Sequence, residues 1–458
     1  MTLTSATEIS EESRGKGSRG LVLAAVTLGF AMVQLDVSVV NVAVKAIGAS
    51  LGGGVTGLQW VVDAYTLTFA AFILSAGALG DRIGARRTLL AGFVLFTLSS
   101  GLCGAAPGVA ILVAARSLQG VGAAALGACS LALLNHTFAG SSARTGAIRW
   151  WAVGGSVAMA SGPVIGGVLI AAVGWRAIFF INVPVGVAGY VLTARYGQET
   201  PRAAGRGVDL PGQLAAVVGL TALAGAVIEG GSRGFGAPLV VAGYGVAFAA
   251  GVLFVLLERR GVRVMLPLWL FKSRVFSVTA GVGLLINVVF YGLYFSLSLY
   301  LQRQDRLSPL AAGLAFLPVL VGVGASNVLA GRGAQVFGER RVLVFGAVLM
   351  GLGSLGLLGV LSLPVWGAVV AMTLTGSGIG VIVPVITSAL MGSVEPSRSG
   401  IASGTLTALR QTGSVLGVAL FCSLFGSFGL TSGLRAGCLV ACGLAVCVAG
   451  LSMALRQG

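Results

Sequence analysis

Apolar residues dominate the chain in long runs, which short polar segments interrupt at intervals. From Leu21 to the C-terminus these runs recur with about 20 residues each, the length that an α-helix needs to cross a hydrocarbon core of roughly 30 Å. The runs do not alternate between apolar and polar positions, as the strands of a membrane barrel do. Because backbone polar groups in lipid must be paired within the chain, the pattern predicts an all-α integral membrane protein.

Fourteen spans are predicted, with ends uncertain by a few residues. They cover residues 20–45, 57–79, 88–107, 109–134, 146–170, 177–194, 210–229, 238–257, 276–300, 311–330, 341–361, 364–391, 402–426 and 434–454. The predicted organisation is a polar N-terminal tail (1–19), a first group of six spans (20–194), a linker with two extra central spans (195–275) and a second group of six spans (276–458). The tail lacks the pattern of a cleavable signal peptide, so the first run is expected to remain as a span.

The charge distribution supports this topology and argues against a nucleic-acid partner. Charged residues make up 9% of the chain and hydrophobic residues 56%, whereas soluble domains carry roughly 25% charged residues. With the N-terminus inside, the inner segments hold 21 of the 29 basic residues and the outer segments six, while Arg116 and Arg410 fall within spans. This positive-inside bias accounts for the net charge of +16. We expect a multi-pass monomer in the inner (plasma) membrane of the cell, with both termini cytoplasmic and the lipid bilayer as its surroundings.

An internal repeat relates the two groups of six spans. Residues 77–92 (GALGDRIGARRTLLAG) and 331–346 (GRGAQVFGERRVLVFG) match at six positions with an offset of 254, which also pairs Arg144 and Gly146 with Arg398 and Gly400. Both segments join spans on the predicted inner side, so the repeat is parallel. Two six-helix bundles related by an axis along the membrane normal are the architecture of major facilitator transporters. Chance recurrence of Gly and Arg in inner loops is the alternative.

Cofactor and metal sites are not predicted. The segment 351–356 (GLGSLG) fits a dinucleotide fingerprint, but it lies inside a predicted span with no strand before it. No G-x-x-x-x-G-K-[ST] loop occurs. His136 is the single histidine and lies at the inner end of span 4, so neither a Ser-His-Asp enzyme nor a histidine-rich metal site is predicted. The six cysteines lie in or at the ends of apolar spans and are interpreted as small packing residues.

Five motifs, in order along the chain, resemble those of the major facilitator superfamily, in particular the drug/proton antiporters with fourteen spans. They are residues 35–43 (LDVSVVNVA) in span 1, 77–87 (GALGDRIGARR) between spans 2 and 3, 112–122 (LVAARSLQGVG) in span 4, 161–167 (SGPVIGG) in span 5 and 175–186 (WRAIFFINVPVG) entering span 6. The span 1 motif usually ends in proline where this chain has Lys45. The resemblance implies a major facilitator fold with fourteen spans and an antiporter activity, without a cofactor.

Asp36 and Arg116 are the predicted proton-coupling pair. Asp36 lies about nine residues from the outer end of span 1 and Arg116 about seven from that of span 4, so both are roughly 11–14 Å deep. Because an ionised side chain near a helix centre costs about 3 kcal/mol, both should face the interior and pair. The resemblance implies that Asp36 carries the proton and Arg116 is its partner; a static ion pair is the alternative. Asp63, at similar depth in span 2, is either a second titrating acid or an interfacial one.

Gating residues are predicted in two of the motifs. Charges between spans 2 and 3 can lock and release the inner helix ends, or can simply anchor them to the inner leaflet. Small residues and a proline in span 5 allow close helix approach and a kink, at what the resemblance implies is the interface between the halves; generic helix packing is the alternative. These residues are Gly77, Asp81, Arg82, Gly84, Arg86, Arg87, Gly162, Pro163, Gly166 and Gly167.

A substrate cavity is predicted from polar and aromatic residues at membrane depth. On span 1 they follow one helical stripe, which suits the lining of a cavity. Arg410 and its neighbour have no obvious acidic partner in the sequence. The predicted lining comprises Gln34, Ser38, Asn41, Trp60, Tyr65, Gln119, Arg410 and Gln411.

The function predicted from these features is proton-coupled export of small lipophilic or cationic organic compounds, such as drugs or antibiotics. The membrane potential supplies about 2.3 kcal/mol per proton charge per 100 mV, which is enough to drive export against a gradient. Three alternatives stay open: an exporter dedicated to one metabolite, such as a self-resistance antibiotic or a siderophore; a proton symporter; and a membrane-embedded sensor or enzyme subunit. The last requires a soluble domain or catalytic cluster, which the sequence does not contain.

Overall fold

The computed structural model describes residues 4–138, 141–202, 209–260, 266, 268–303, 307–360, 365–394 and 399–455. Five of the basic residues counted in the predicted topology lie outside these ranges, among them the Arg398 of the repeat; they are Arg206, Arg263, Arg306, Arg398 and Arg456.

Helices account for nearly all of the described chain. The first half contains α1 (Thr4–Leu51), α2 (Gly54–Ile83), α3 (Ala85–Ala105), α4 (Val109–Thr137), α5 (Ser141–Ala172), α6 (Ala177–Phe180) and α7 (Asn182–Tyr196). Two helices follow, α8 (Leu210–Arg233) and α9 (Pro238–Arg260), and then a short 3-10 helix (Leu268–Lys272). The second half contains α10 (Arg274–Arg303), α11 (Pro309–Ala315), α12 (Leu317–Phe337), α13 (Glu339–Val360), α14 (Val365–Gly392), α15 (Ser399–Phe428) and α16 (Leu430–Met453).

The number of spans agrees with the fourteen predicted. Among the described residues, 13 helices are long and apolar enough to cross a membrane, and the bent pair Gly146–Met159 and Ser161–Ala172 within α5 makes the fourteenth. Helix α1 already begins at Thr4, in the predicted polar tail, while its membrane-spanning part covers Arg19–Leu51.

Two spans are broken where a proline removes a backbone donor. Pro184 has no N–H to give to the carbonyl of Phe180, and the helix breaks between α6 and α7 at Ile181. Pro318 likewise leaves the carbonyl of Leu314 without its helical donor, and the break between α11 and α12 falls at Phe316. Each short piece, α6 and α11, nevertheless continues into the next helix as part of one span, Ala177–Tyr196 and Ala311–Phe337.

The helices form two six-span bundles with the same internal packing. In the first bundle, α1 packs on α4, α5 and α7, while α4 also packs on α2 and α3. In the second bundle, α10 packs on α14, α15 and α16, while α14 also packs on α12 and α13. Each pair of the first bundle thus has its equivalent in the second, as a parallel repeat requires. The sequence-based prediction of a major facilitator fold is confirmed.

The two bundles meet along two equivalent seams. Helix α2 packs on α15, and α5 packs on α11 and α12. The extra helix α8 packs against both α2 and α15 and so covers the first seam, while α9 packs on the outside of α8. Large apolar side chains on α9, such as Phe248, are exposed on its outer face, as expected of a helix that faces lipid.

The packing between the bundles differs at the two sides of the membrane. We use two names for the two sides of the membrane, the basic side and the opposite side. The basic side is the one at which the helix ends carry Arg82, Arg86, Arg87, Arg195, Arg259, Arg260, Lys272, Arg274, Arg332, Arg340 and Arg341. Toward the opposite side, residues of both bundles share one hydrophobic cluster, for example Val44 with Leu293. Toward the basic side the buried residues form two separate clusters, one in each bundle, and Ala408 of α15 packs against the cluster of the first bundle. This asymmetry indicates a conformation that is closed on the opposite side and opens toward the basic side.

Candidate functional site

Asp36 and Arg116 meet in the interior of the first bundle. Their side chains are 0% and 1% exposed, and Arg116 Nη1 donates to Asp36 Oδ2 in a direct ion pair. The pairing follows from the similar depth of the two residues on α1 and α4, which pack together. Removing one partner of such a buried pair leaves an uncompensated charge and costs about 3–5 kcal/mol.

Two amide side chains complete the coordination of the Asp36 carboxylate. Gln119 Nε2 donates to Asp36 Oδ1 at 2.9 Å, and Asn182 Nδ2 donates to the same oxygen at 3.2 Å. Both amides also donate to Ser100 Oγ, at 3.1 and 3.0 Å, and this hydroxyl donates to the carbonyl of Phe179 at 2.9 Å. These hydrogen bonds connect Asp36 on α1 with α3, α4 and the start of α7. We call Asp36, Arg116, Gln119, Asn182 and Ser100 the Asp36 network.

Arg116 is held by two further contacts. Its Nε donates to the carbonyl of Val61 at 3.1 Å, and its guanidinium lies over the ring of Tyr65, 4.2 Å from the centroid. Tyr65 and Gln119 were predicted to line a substrate cavity, but both are fully buried against this ion pair. Their position differs because each helix is rotated so that these residues point into the first bundle.

Asp63 is a fully buried acid on α2. Its side chain is 0% exposed, and neither carboxylate oxygen has a hydrogen-bond partner. It lies on α2, which packs on α15. An ionised carboxylate without a partner is very unfavourable in such a place.

The segment between α2 and α3, for which a gating role was predicted, contacts Glu199 from the end of the first bundle. The carboxylate of Glu199 accepts from the backbone N–H of Arg86 at 3.0 Å and lies 3.6 Å from Arg87 Nε. Gly84, between the helices, has φ +106°, and a methyl group there would lie 2.1 Å from Glu199 Oε1. Glu199 therefore caps the start of α3, and only a glycine at position 84 leaves room for its carboxylate.

The other residues of this predicted gate are located as follows. Arg86 donates through Nη2 to the carbonyl of Ala194, at 2.5 Å, and so ties α3 to the end of α7. Gly77 and Asp81 are half-buried on α2, and Arg82 is exposed on the basic side.

The predicted motif on α5 lies between the halves. A methyl group at Gly162 would lie 1.8 Å from Ser38 Oγ on α1, and one at Gly166 would lie 2.6 Å from a Val39 methyl. The carbonyl of Pro163 faces α11, where a methyl group at Gly313 would lie 2.3 Å from it. Gly167 is buried as well. The bend of 40° in α5 occurs beside these residues.

The polar residues that were predicted to form a cavity-lining stripe on α1 lie mostly at contacts with other helices. Gln34 is half-buried, with its amide 3.9 Å from Met159 Sδ on α5, and Ser38 packs against α5. The carbonyl of Asn41 accepts from Ser298 Oγ of α10 at 3.3 Å, and Lys45 Nζ donates to the carbonyl of Gln302 at 2.5 Å. Asn41 and Lys45 thus join the two bundles on the opposite side.

The remaining predicted cavity residues are divided between two places. Trp60 faces the extra helix α8, where a methyl group at Gly225 would lie 3.3 Å from its ring. Trp60 was predicted to line the cavity, whereas in the structure its ring contacts α8. Arg410 and Gln411 are half-buried near the middle of α15. Among the residues that the structure describes, no group of three or more His, Cys, Asp or Glu side chains could hold a metal ion.

Ser100, Asn182 and Glu199 were not predicted as site residues. Asn182 lies in one of the motifs, two residues before Pro184, and the helix break at Ile181 turns it toward Asp36. Ser100 is one of many hydroxyl residues in apolar spans, so its sequence position carries no signal. Glu199 is a lone acid after a span, next to the basic loop segments, and that charge pattern could have identified it.

Comparison with known proteins gives one family. The model of the Major Facilitator Superfamily matches residues 26–418 and, in a second match, 279–456. The second match covers the second bundle, as expected from the internal repeat.

Named relatives are resistance proteins. The chain is 36% identical to a methylenomycin A resistance protein of Streptomyces coelicolor, over 90% of this chain and 87% of the relative. It is also 36% identical to the multidrug resistance protein Stp of Mycobacterium tuberculosis, over 89% of this chain and 76% of the relative. Among solved structures, the human organic anion transporter MFSD10 superposes with a TM-score of 0.66 at 18% identity, covering 95% of this chain and 99% of that one. At this identity the superposition supports the fold alone.

Proposed function

Because this chain belongs to the major facilitator superfamily, we propose that it exports small lipophilic organic compounds from the cytoplasm in exchange for protons. Its relatives are resistance and efflux proteins, and it is a transporter rather than an enzyme. The observation that carries the proton coupling is the buried Asp36 carboxylate, which holds Arg116 and two amides in place.

Protonation of Asp36 provides the switch. The ionised carboxylate accepts from Arg116, Gln119 and Asn182, and these bonds connect α1 to α4 and α7. Adding a proton removes the charge that Arg116 neutralises and converts an acceptor into a donor, so the bonds weaken together. The helices that they connect are then free to take a second arrangement, which is the requirement for coupling a proton to a conformational change.

Asp63 is proposed as a second proton site. It lies at the α2/α15 seam and has no partner in the conformation that opens toward the basic side. A neutral acid at a seam ionises when the seam opens and water reaches it. Asp36 and Asp63 then exchange protons in different conformations, which fits a transporter that alternates between two sides.

The orientation is part of the proposal. The basic side is taken to face the cytoplasm, because lysine and arginine are retained there during insertion. Both termini lie on that side when the number of spans is even. The Lys45–Gln302 and Ser298–Asn41 contacts then close the outer side. A monomer suffices for this arrangement, since the Asp36 network lies within one chain.

The breadth of substrates stays a prediction. One relative is named for resistance to a single antibiotic and another for multidrug resistance, so a dedicated exporter and a broad one both have a precedent. Cells that express the protein can be challenged with a panel of chemically unrelated antibiotics and dyes. Protection against several unrelated compounds supports the broad exporter, whereas protection against one chemical series supports the dedicated one.

The first prediction concerns Asp36 in inside-out vesicles. With an acidified lumen, the wild-type protein should accumulate the compound that gave the strongest protection, and an uncoupler should abolish the accumulation. Asp36→Asn should reduce it to the level of empty vesicles, because the side chain no longer exchanges a proton. The measurement is the uptake of the labelled compound after the pH jump.

A matched control is Glu229→Gln, which removes an acid that pairs with Arg233 in a partly exposed contact at the opposite side. Exposed pairs contribute little, so this variant should transport normally. Proton-driven accumulation by Asp36→Asn at the wild-type rate would remove Asp36 from the mechanism. Accumulation that requires an acidic medium outside the vesicles would instead indicate a symporter.

A further inference from the structure

Arg410 is a cation near the middle of a span without a carboxylate partner. It lies 11 residues from the start of α15. Its Nε is buried without a hydrogen-bond partner, and the ion pairs among the described residues involve Arg87, Arg116 and Arg233 instead. The sequence supplies no nearby acid, because residues 276–458 contain only Asp305, Glu339 and Glu395, all at or beyond helix ends.

The electrostatic balance of the membrane interior makes this cation unusual. Five ionisable Asp, Glu, Lys or Arg side chains lie six or more residues inside the spans of the described chain: Asp36, Lys45, Asp63, Arg116 and Arg410. Lys45 is exposed, and its Nζ donates to the carbonyl of Gln302. Asp36 and Arg116 neutralise each other. Neither carboxylate oxygen of Asp63 has a hydrogen-bond partner. Arg410 is therefore a cation without a partner carboxylate, in a region where an isolated charge costs about 3 kcal/mol.

The surroundings of Arg410 are polar on one side and apolar on the other. The aliphatic part of the Arg410 side chain packs against α10 at Gly283, where an added methyl group would lie 3.3 Å from Arg410 Cγ. Tyr291 lies two turns further along α10, the helix that packs on α15. Asn287 lies between them and accepts from Ser414 of α15 at 3.5 Å. Leu284 is half-buried on the same part of α10.

These side chains face the space between the bundles. Helix α10 is the most enclosed span, with 83% of its apolar window buried, yet Leu284 and Tyr291 on it are half-buried like Arg410. Helix α10 packs on α1, α11, α14, α15, α16 and the short 3-10 helix before it. The partial exposure of these side chains is interpreted as facing the space between the bundles, toward the basic side.

We propose that Arg410, with Tyr291 of α10, forms the subsite for an acidic group of the exported compound, so that the transporter takes lipophilic organic acids bearing a carboxylate. This inference rests on the proposed export function and adds the substrate class. The planar guanidinium offers paired N–H donors that match the two oxygens of a carboxylate. Half-buried Leu284 and Tyr291 supply apolar surface for the remainder of the molecule. Binding of the acid also supplies the negative charge that the second bundle lacks.

The test is a binding measurement on the purified full-length protein, which does not depend on proton coupling. The probes are three lipophilic acids (decanoate, 1-naphthoate and coumarin-3-carboxylate), each compared with its methyl ester and with the amine of the same skeleton. Affinity is measured by microscale thermophoresis in detergent micelles. At least one acid should bind about tenfold or more tightly than its ester, because the charge-assisted bonds to Arg410 are lost in the ester.

Three variants locate the subsite. Arg410→Gln should weaken binding of the acid about tenfold and leave the ester unchanged, and Arg410→Lys should fall between, since it keeps the charge but loses the planar donor pair. Arg435→Gln removes an exposed arginine near the start of α16 and should bind like the wild type. A loss of acid and ester binding to the same degree in Arg410→Gln would make Arg410 a structural residue.

Two further outcomes overturn the proposal. If no acid of the panel binds more tightly than its ester, the subsite does not recognise a carboxylate. If the amines bind most tightly, the site selects the cationic compounds that the sequence-based prediction also included. Either result can occur in a protein that still performs proton-driven export, and Asp36→Asn can lose transport while it still binds the acid. Failure of the substrate class and failure of the export function are thus distinguished.

Discussion

At the scale of single residues, the contact of Gly162 with Ser38 determines how α1 is positioned. A methyl group at Gly162 would lie 1.8 Å from Ser38 Oγ and 3.2 Å from the backbone nitrogen of Val39. Asp36 precedes Ser38 by two residues, about 200° around the helix, so it points away from α5 and toward α4. The close approach at Gly162 therefore holds α1 in the position from which Asp36 reaches Arg116.

Gly162→Ala tests this contact. The added methyl group has no room unless α1 and α5 separate, and overpacking of this kind costs about 1–3 kcal/mol. We expect a lower midpoint of thermal unfolding for the purified variant in detergent, and a partial recovery when Ser38→Gly is added.

Gly146→Ala is the matched control, because Gly146 lies on the same helix with nothing within 4 Å of an added methyl group. Alanine favours helix more than glycine does, so this variant should be at least as stable as the wild type. Equal unfolding midpoints for Gly162→Ala and Gly146→Ala would show that the two helices are not in the close contact described.

Two members of the Asp36 network, Asp36 and Arg116, could be recognised as a pair from the sequence. Asp36 and Arg116 are charges inside apolar runs, and their rarity there identifies them. Ser100 and Asn182 are neutral, and neutral polar residues occur in spans for many reasons. The prediction for Tyr65 failed differently, because its depth was right but the rotation of α2 about its axis decides whether it faces a cavity or Arg116.

At the scale of the helices, a single amide joins the extra span α8 to the first bundle. Gln213, near the start of α8, is buried and donates to the carbonyl of Ala71 on α2 at 3.0 Å. It also accepts from the hydroxyl of Ser75 one turn further along α2. Since apolar contacts between helices gain little in lipid, such polar bonds contribute much of the specificity with which α8 covers the seam.

Gln213→Leu should loosen this attachment. Loss of the bonds to a buried carbonyl and hydroxyl costs about 1–3 kcal/mol, and we expect faster amide hydrogen exchange in α8 and in the neighbouring turn of α2. Hydrogen exchange with mass spectrometry in lipid nanodiscs measures both. Leu214→Ala, at an exposed neighbouring position of α8, should leave exchange unchanged. Unaltered exchange in Gln213→Leu would mean that α8 is held by other contacts.

The positions of the spans could be predicted from the sequence, whereas their breaks could not. Twenty apolar residues in succession specify a span whatever its neighbours are. A proline within a span, such as Pro184 or Pro318, breaks the helix or only bends it, depending on whether neighbouring groups satisfy the freed carbonyl. That depends on tertiary contacts, and so the separate helices α6 and α11 appear only in the structure.

At the scale of the whole molecule, the two bundles are joined more firmly on the opposite side than on the basic side. Residues of both bundles share a hydrophobic cluster on the opposite side, and Asn41 and Lys45 of α1 add polar contacts to α10 there. Toward the basic side the clusters are separate, although the α2/α15 seam continues at Leu74 and Gly404. Alternating access requires that the shared cluster on the opposite side come apart while the halves close on the basic side.

A covalent bridge across the opposite side should therefore stop transport. In the variant with Asn41→Cys and Ser298→Cys, the two positions are in contact, since Ser298 Oγ lies 3.3 Å from the carbonyl oxygen of Asn41. Dibromobimane, which fluoresces when both of its ends have reacted with thiols, should bridge them without added substrate, because the structure is closed there. The bridged protein should bind its substrate from the basic side but not release it across the membrane, as measured by efflux from proteoliposomes. Each single-cysteine variant treated with the same reagent should keep its activity and show no more fluorescence than the wild type. Transport by the fully bridged protein at the wild-type rate would mean that the α1/α10 contact is not a gate and that the halves open elsewhere.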